Sequence, residues 1–265
     1  MGPAPLVRYL RARRRERPLN ADPAVQLRLL DVQALDTKLD QLAHRRRTIP
    51  EVAELETLAA EHARLRDAEV VAATSVSDLE REQKRADAEV EQVRARKDRD
   101  QQRLDAGQVA SPKELEGLQS EIESLNRRQS VLEDAELEIM ERLEAAQNEH
   151  ASLGAERDKV GQRTQEAQAA RDAEWTEIDK DAEFARHQRT ALVADIPADL
   201  VALYEKIRTE RGGIGAAALR QRRCEGCRMQ LDPAEVARIR GLAADAVIRH
   251  DECRRILVRT SESGL

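Results

Sequence analysis

The chain has 265 residues, 36% of them charged and only 2% aromatic, with one Trp, one Phe and two Tyr. Rings bury much area per residue, so this scarcity argues against a large globular core; an Ala-, Glu-, Leu-, Arg- and Gln-rich chain with heptad spacing has the composition of a coiled coil. The net charge of −6 is uneven: residues 1–19 carry six Arg against one Glu, residues 200–265 carry 13 basic against nine acidic residues, and 20–199 hold the negative excess.

Residues 1–20 form a basic segment with Pro3, Pro5 and Pro18 that fits no later pattern. It reads as a disordered extension, either a tail without a role or one added by an upstream start codon; a basic arm for nucleic acid is the alternative. The first helix begins at Asp22-Pro23, where Asp caps and Pro suits the first helical position. Val25, Val32, Leu35, Leu39 and Leu42 form its stripe, and Thr48-Ile49-Pro50 ends it, because a residue before proline leaves the α region.

A second helix runs from Pro50 to about Leu104. Its seam includes Leu58, His62, Leu65, Glu69, Val76, Leu79, Gln83, Val90 and Val93. Gly107 and Ser111-Pro112 interrupt it. A third helix, from Pro112 to about residue 190, carries a second seam with Leu115, Leu125, Gln129, Glu136, Ile139, Leu143, His150, Leu153, Arg157 and Val160. Folding at residues 108–110 brings together positions whose numbers sum to 218 or 219. Leu104 then meets Leu115, Leu79 meets Ile139, Val76 meets Leu143, Leu65 meets Leu153 and Leu58 meets Val160. Polar positions coincide as well: Gln83 with Glu136, Glu69 with His150, His62 with Arg157. Matched polar layers leave no lone buried polar group and help set register. The expected fold is mainly α, an elongated antiparallel helical hairpin. The first helix lies as a short third helix at its base, and the run near Trp175 and Phe184 fills a thicker core there. His62 and His150 read as packed beside polar partners; His44 and His187 read as surface residues.

Ile196-Pro197 ends the hairpin. The expected domains are thus an extension (1–20), the coiled-coil hairpin (21–195), and a linker helix with a small C-terminal zinc ribbon (196–265). Residues 199–211 form the linker helix, 214–223 and 246–249 are strands leading into two ligand pairs, and Ile256-Leu257-Val258 is a further strand. Asp232-Pro233-Ala234-Glu235 opens a helical turn between the pairs.

All three cysteines fall in this region. Cys224 and Cys227 form a C-x-x-C pair, and His250 and Cys253 an H-x-x-C pair 22 residues later. Two knuckles of this spacing bring four donors into a tetrahedron, so Cys224, Cys227, His250 and Cys253 are the candidate ligands of a structural Zn²⁺. A clustered, metal-ligating set of thiols fits the reducing cytoplasm better than a disulfide framework. No nucleophile–base pair or phosphate loop accompanies the site, no apolar run is long enough for a membrane span, and the candidate catalytic residues are none. The ribbon is basic, and Arg220, Arg222, Arg223, Arg228, Arg254 and Arg255 are its candidate contacts to nucleic acid or a partner.

These features resemble the bacterial coiled-coil/C4-type zinc-ribbon proteins in their actinobacterial form. The resemblance is carried by residues 27–36 (LRLLDVQALD), 41–47 (QLAHRRR), 111–119 (SPKELEGLQ), the Cys224–Cys227 knuckle and 256–260 (ILVRT). It implies a helical hairpin joined to a compact ribbon, and a non-catalytic regulatory or scaffolding role with contacts to transcription machinery or nucleic acid. On this reading the chain is an interaction protein that binds a protein partner, alternatively an RNA- or DNA-binding module, with neither a small-molecule substrate nor a membrane. Two positions depart from the family pattern: His250 stands where the third cysteine is expected, and Arg254 stands where a glycine usually follows the fourth ligand.

Overall fold

The computed structural model describes residues 19–265, so the expectation for residues 1–18 lies outside the described residues. The elements in order are α1 (Pro23–Thr48), α2 (Pro50–Asp105), α3 (Pro112–Ala194), α4 (Ala198–Glu210), β1 (Ala216–Arg220), β2 (Arg223–Cys224), α5 (Pro233–Gly241), β3 (Ile248–Arg249) and β4 (Ile256–Arg259). They form two compact units: residues 19–49 with Asp172–Leu265, and Pro50–Arg171.

The second unit is the hairpin of α2 against residues 112–171 of α3. The turn uses Gly107 at φ 66°. Ser111 then starts α3 with a capping box: its hydroxyl accepts the Glu114 N–H (3.3 Å), and the Glu114 carboxylate accepts the Ala110 N–H (3.0 Å). The apolar register is the expected one. Leu58, Leu65, Leu153 and Val160 share one cluster, and Val76, Leu79 and Leu143 share another.

The polar layers are offset from expectation. Arg157 donates to Glu69 (2.6 Å) rather than facing His62, which is exposed, and Lys97 donates to Gln129 (2.7 Å). Both pairs sum to 226. Helical side chains lean toward their own N-terminus, so in an antiparallel pair long side chains meet at larger sums than their backbones do.

In the first unit α1 lies against the end of α3, with Arg46 paired to Asp179 (3.1 Å) and Arg28 to Asp195 (3.0 Å). The thick core expected around Phe184 is elsewhere. Phe184 is exposed, and Trp175 is held at the margin, its indole donating to the Arg46 carbonyl (2.9 Å) under the Arg46 guanidinium. The core forms instead around Tyr204, with Leu29, Val32, Ile196, Leu200, Ile207, Ala216, Ile256 and Val258.

A polar lattice ties α1 to α4 and the sheet. Gln33 accepts from the Gly215 N–H (2.7 Å) and donates to the Gly213 carbonyl (2.9 Å). Asp36, 2% exposed, accepts from the Tyr204 hydroxyl (2.6 Å) and from Arg189 (2.6 and 3.2 Å). Burial, followed by the hydrogen bond to Asp36, pushes the Tyr204 phenol far up; that same carboxylate pushes Arg189 up. Gly215 packs so tightly on Tyr204 that an added Cβ would lie 2.7 Å from its carbonyl oxygen.

The sheet order is β2-β1-β4-β3, with β1 and β4 parallel and the outer pairs antiparallel. The single strand expected over 214–223 is two, because Gln221 and Arg222 turn at φ 46° and 63°. Alternation divides the sheet faces. Ala216, Ile256 and Val258 join the Tyr204 core, whereas Ala217, Leu219 and Leu257 pack with Leu231, Val236 and Ile239 around α5 and beside the cysteines. Leu19 and Asn20, expected to lie in the extension, belong to the folded part. The Val247 N–H donates to the Leu19 carbonyl (2.9 Å), and Asn20 bridges to Ala246.

Candidate metal centre

Each ligand pair sits on a turn built the same way. In the first, the Arg228 N–H closes onto the Cys224 carbonyl (2.7 Å) and the Cys224 N–H donates to the Met229 carbonyl (3.0 Å). In the second, the Arg254 N–H closes onto the His250 carbonyl (2.9 Å) and the His250 N–H donates to the Arg255 carbonyl (3.0 Å). The residue before each first ligand is an arginine whose Nε donates to the carbonyl just past the second: Arg223 to Arg228 (2.8 Å), Arg249 to Arg254 (3.1 Å). The local sequences, residues 223–228 (RCEGCR) and 249–254 (RHDECR), thus repeat in structure as they do in spacing.

The two turns bring Cys224, Cys227, His250 and Cys253 together, all donor atoms lying within 4.8 Å of one another. Cys224 Sγ is 4.0 Å from Cys253 Sγ, and His250 Nδ1 is 3.4 Å from Cys227 Sγ and 3.1 Å from Cys253 Sγ. A tetrahedron with Zn–S bonds of about 2.3 Å has edges of about 3.8 Å, so three thiols and one imidazole nitrogen at this spacing fit Zn²⁺. His250 is fully buried, with Nδ1 turned toward the sulfurs and Nε2 turned away.

Burial pushes the Cys224 thiol up to about 12. At Cys253 burial acts in the same direction, but the Arg255 backbone N–H and His250 outweigh it and hold that thiol at about 7. Cys253 is therefore more readily a thiolate than Cys224, whose proton a metal must displace. Zinc bound here would leave no coordination position open, so its chemistry is structural.

Four of the candidate contact arginines are engaged locally. Arg222 donates to the Gly264 carbonyl (2.8 Å), Arg223 to Arg228, and Arg255 to the carbonyls of Ile214 and Arg211 (3.0 and 2.7 Å). Arg220 pairs with Glu262 (3.1 Å). Arg228 and Arg254 take positive φ.

Sequence reasoning placed Glu235 only in the turn that opens a helix and missed its position beside His250, where it is 4% exposed. The available signal was a carboxylate in the stripe of Leu231 and Ile239. It also missed Arg249, whose equivalence to Arg223 the repeat spells out.

The profile of the CT398-like coiled coil hairpin domain matches residues 32–212, and that of the C4-type zinc ribbon domain matches 223–257. An uncharacterised protein of Mycobacterium tuberculosis is 36% identical over 241 residues, which cover 91% of this chain and 98% of that one. A Mycobacterium smegmatis protein of solved structure is 36% identical with a TM-score of 0.80, over 91% of this chain and all of the other. CT398 from Chlamydia trachomatis shares the fold at 18% identity, with a TM-score of 0.68 over 89% of this chain and 98% of its own. Hairpin, ribbon and mycobacterial relatives agree: the chain belongs to the family of CT398-like coiled-coil hairpin proteins that carry a C4-type zinc ribbon, here with histidine at one of the four ligand positions.

Proposed function

We propose that this chain is a non-catalytic adaptor of the cytoplasm, holding a protein partner such as a component of the transcription machinery. One observation carries the reading: the four clustered donors would close the coordination sphere of a zinc ion, leaving it a clasp and not a reaction centre. The hairpin supplies surface for a partner, with Val70 and Val71 exposed on α2 and Val131, Leu137 and Met140 exposed on α3. Cross-linking from lysate followed by mass spectrometry tests it. Recovery of a defined protein that is lost with Val70→Glu/Val71→Glu or Leu137→Glu/Met140→Glu supports the adaptor. Recovery of nothing that depends on hairpin or ribbon overturns it.

The second reading is RNA or DNA binding through the ribbon, motivated by its basic balance. Phosphate contacts would make affinity fall steeply with salt. The contacts of Arg222, Arg223 and Arg255 with backbone carbonyls use part of their donor capacity and leave their charge. Flat titrations with single- and double-stranded nucleic acid at low salt would remove it.

A further inference from the structure

Glu235 is a buried carboxylate with two distinct attachments to the second knuckle. It lies in the first turn of α5, where its own N–H donates to the capping Asp232 side chain (2.8 Å). Its Oε1 accepts the Asp251 N–H (2.9 Å), and its Oε2 faces His250 Nε2 at 3.6 Å. The corresponding N–H of the first knuckle, that of Glu225, goes instead to the β1 carbonyl of Ala218 (3.0 Å). A side chain from α5 thus does for the histidine knuckle what the sheet backbone does for the cysteine knuckle. Arg238 faces the same carboxylate at 3.4 Å and Asp251 at 3.2 Å, from the exposed side.

His250 Nε2 is buried and has no hydrogen-bond partner among the described residues. A ring nitrogen in that position is costly unless it carries a proton toward an acceptor, and the facing Glu235 oxygen is a few tenths of an ångström beyond hydrogen-bond range. Metal on Nδ1 requires the proton on Nε2.

We propose that Glu235 is the positioning carboxylate of this metal site: it accepts the Nε2–H of His250, fixes Nδ1 as the zinc-facing nitrogen, and returns the negative charge that a fourth thiolate supplies in a four-cysteine ribbon. A neutral imidazole in place of a thiolate leaves the zinc centre one negative charge short, and the buried carboxylate behind the ring makes it up. Histidine and glutamate act as one unit replacing one cysteine.

The experiment is a zinc-affinity comparison by chelator competition on the full chain, in wild type, Glu235→Gln, His250→Cys, and His250→Cys with Glu235→Gln. Gln keeps the oxygen that accepts the Asp251 N–H and removes the charge. Removing such a partner of a metal-bound histidine weakens metal by about 10–100-fold. That loss is expected with His250 present. It is expected to fall below about threefold in the His250→Cys background, where no Nε2–H remains to be held. A loss at least about threefold larger with His250 than with the thiol supports the proposal. An equal loss in both backgrounds, or none with His250, overturns it and leaves Glu235 a capping residue. Nitrogen NMR of zinc-loaded wild type gives a readout independent of any variant's folding. Metal on Nδ1 with a hydrogen-bonded proton on Nε2 is expected, and the opposite tautomer contradicts the proposal.

Discussion

Arg228 and Arg254 stand one residue past the second ligand of their knuckles and share one left-handed backbone conformation, φ 59° and 62°. Each donates its N–H back to the first ligand's carbonyl and accepts the preceding arginine's Nε–H. The knuckle geometry demands the conformation, so an L side chain there is strained by about 1 kcal/mol or somewhat more. Arg228 is exposed. Arg228→Gly is therefore expected to raise the stability of the zinc-loaded ribbon by about 1 kcal/mol, whereas Arg228→Ala keeps the strain and gains little. Denaturant unfolding of the two variants beside wild type reads the difference.

Asp36 binds Arg189, lies 3.5 Å from Arg208 and accepts from Tyr204, all inside the first unit. Asp36→Ala leaves these donors facing a void, and breaking one partner out of a buried pair costs about 3–5 kcal/mol. The sole tryptophan, Trp175, lies in this unit, so its fluorescence during denaturant titration reports the loss. A shift below about 1 kcal/mol would mean the lattice is not what ties α1 to α4.

Glu136 is raised above the ordinary carboxylate range, chiefly by its hydrogen bond with Asp87 across the hairpin, then by burial and the Asp87 charge. A group raised in the fold contributes stability below its unfolded pKa and loses it as pH rises through the folded value. At neutral pH the two carboxylates repel. Glu136→Gln should raise the hairpin's melting temperature slightly at pH 7, and the gain should shrink as pH falls through the raised folded value and be gone at the ordinary glutamate value. Melting curves at neutral pH and at a pH near 4, about the ordinary glutamate value, check the sign.

Removing zinc should loosen the two knuckles and the core of Leu219, Leu231, Val236 and Ile239 around α5, because the two-residue strands β2 and β3 have little else to hold them, whereas β1 and β4 stay packed on the Tyr204 core. The hairpin's hydrogen bonds are internal to its helices, so most helical ellipticity should survive chelation. Hydrogen exchange with and without chelator should show protection lost across residues 223–253 and retained in α2 and in the Tyr204 core.

The hairpin was legible because its information is local and repeated: heptads, a Ser-Pro start and a Gly turn set both seams and their register. The four ligands were legible because knuckle spacing is a chemical constraint. What stayed hidden is long-range. Nothing at Gln33 or Asp36 shows that α1 receives Tyr204 and the Gly215 backbone, contacts made 168 or more residues away. The polar offset along the hairpin depends on side-chain direction, which residue counting omits. Arg254 stands out in the sequence as a departure, but Arg228, its equivalent, does not, because the first knuckle otherwise looks ordinary.

The most direct measurement is metal content with cobalt-substitution spectroscopy on wild type and His250→Ala. The account predicts one tightly bound metal per chain and a tetrahedral spectrum of three thiolates and one nitrogen. It also predicts that His250→Ala weakens the metal sharply and alters the spectrum. A wild-type protein that retains no metal, or a variant with unchanged affinity and spectrum, would contradict it.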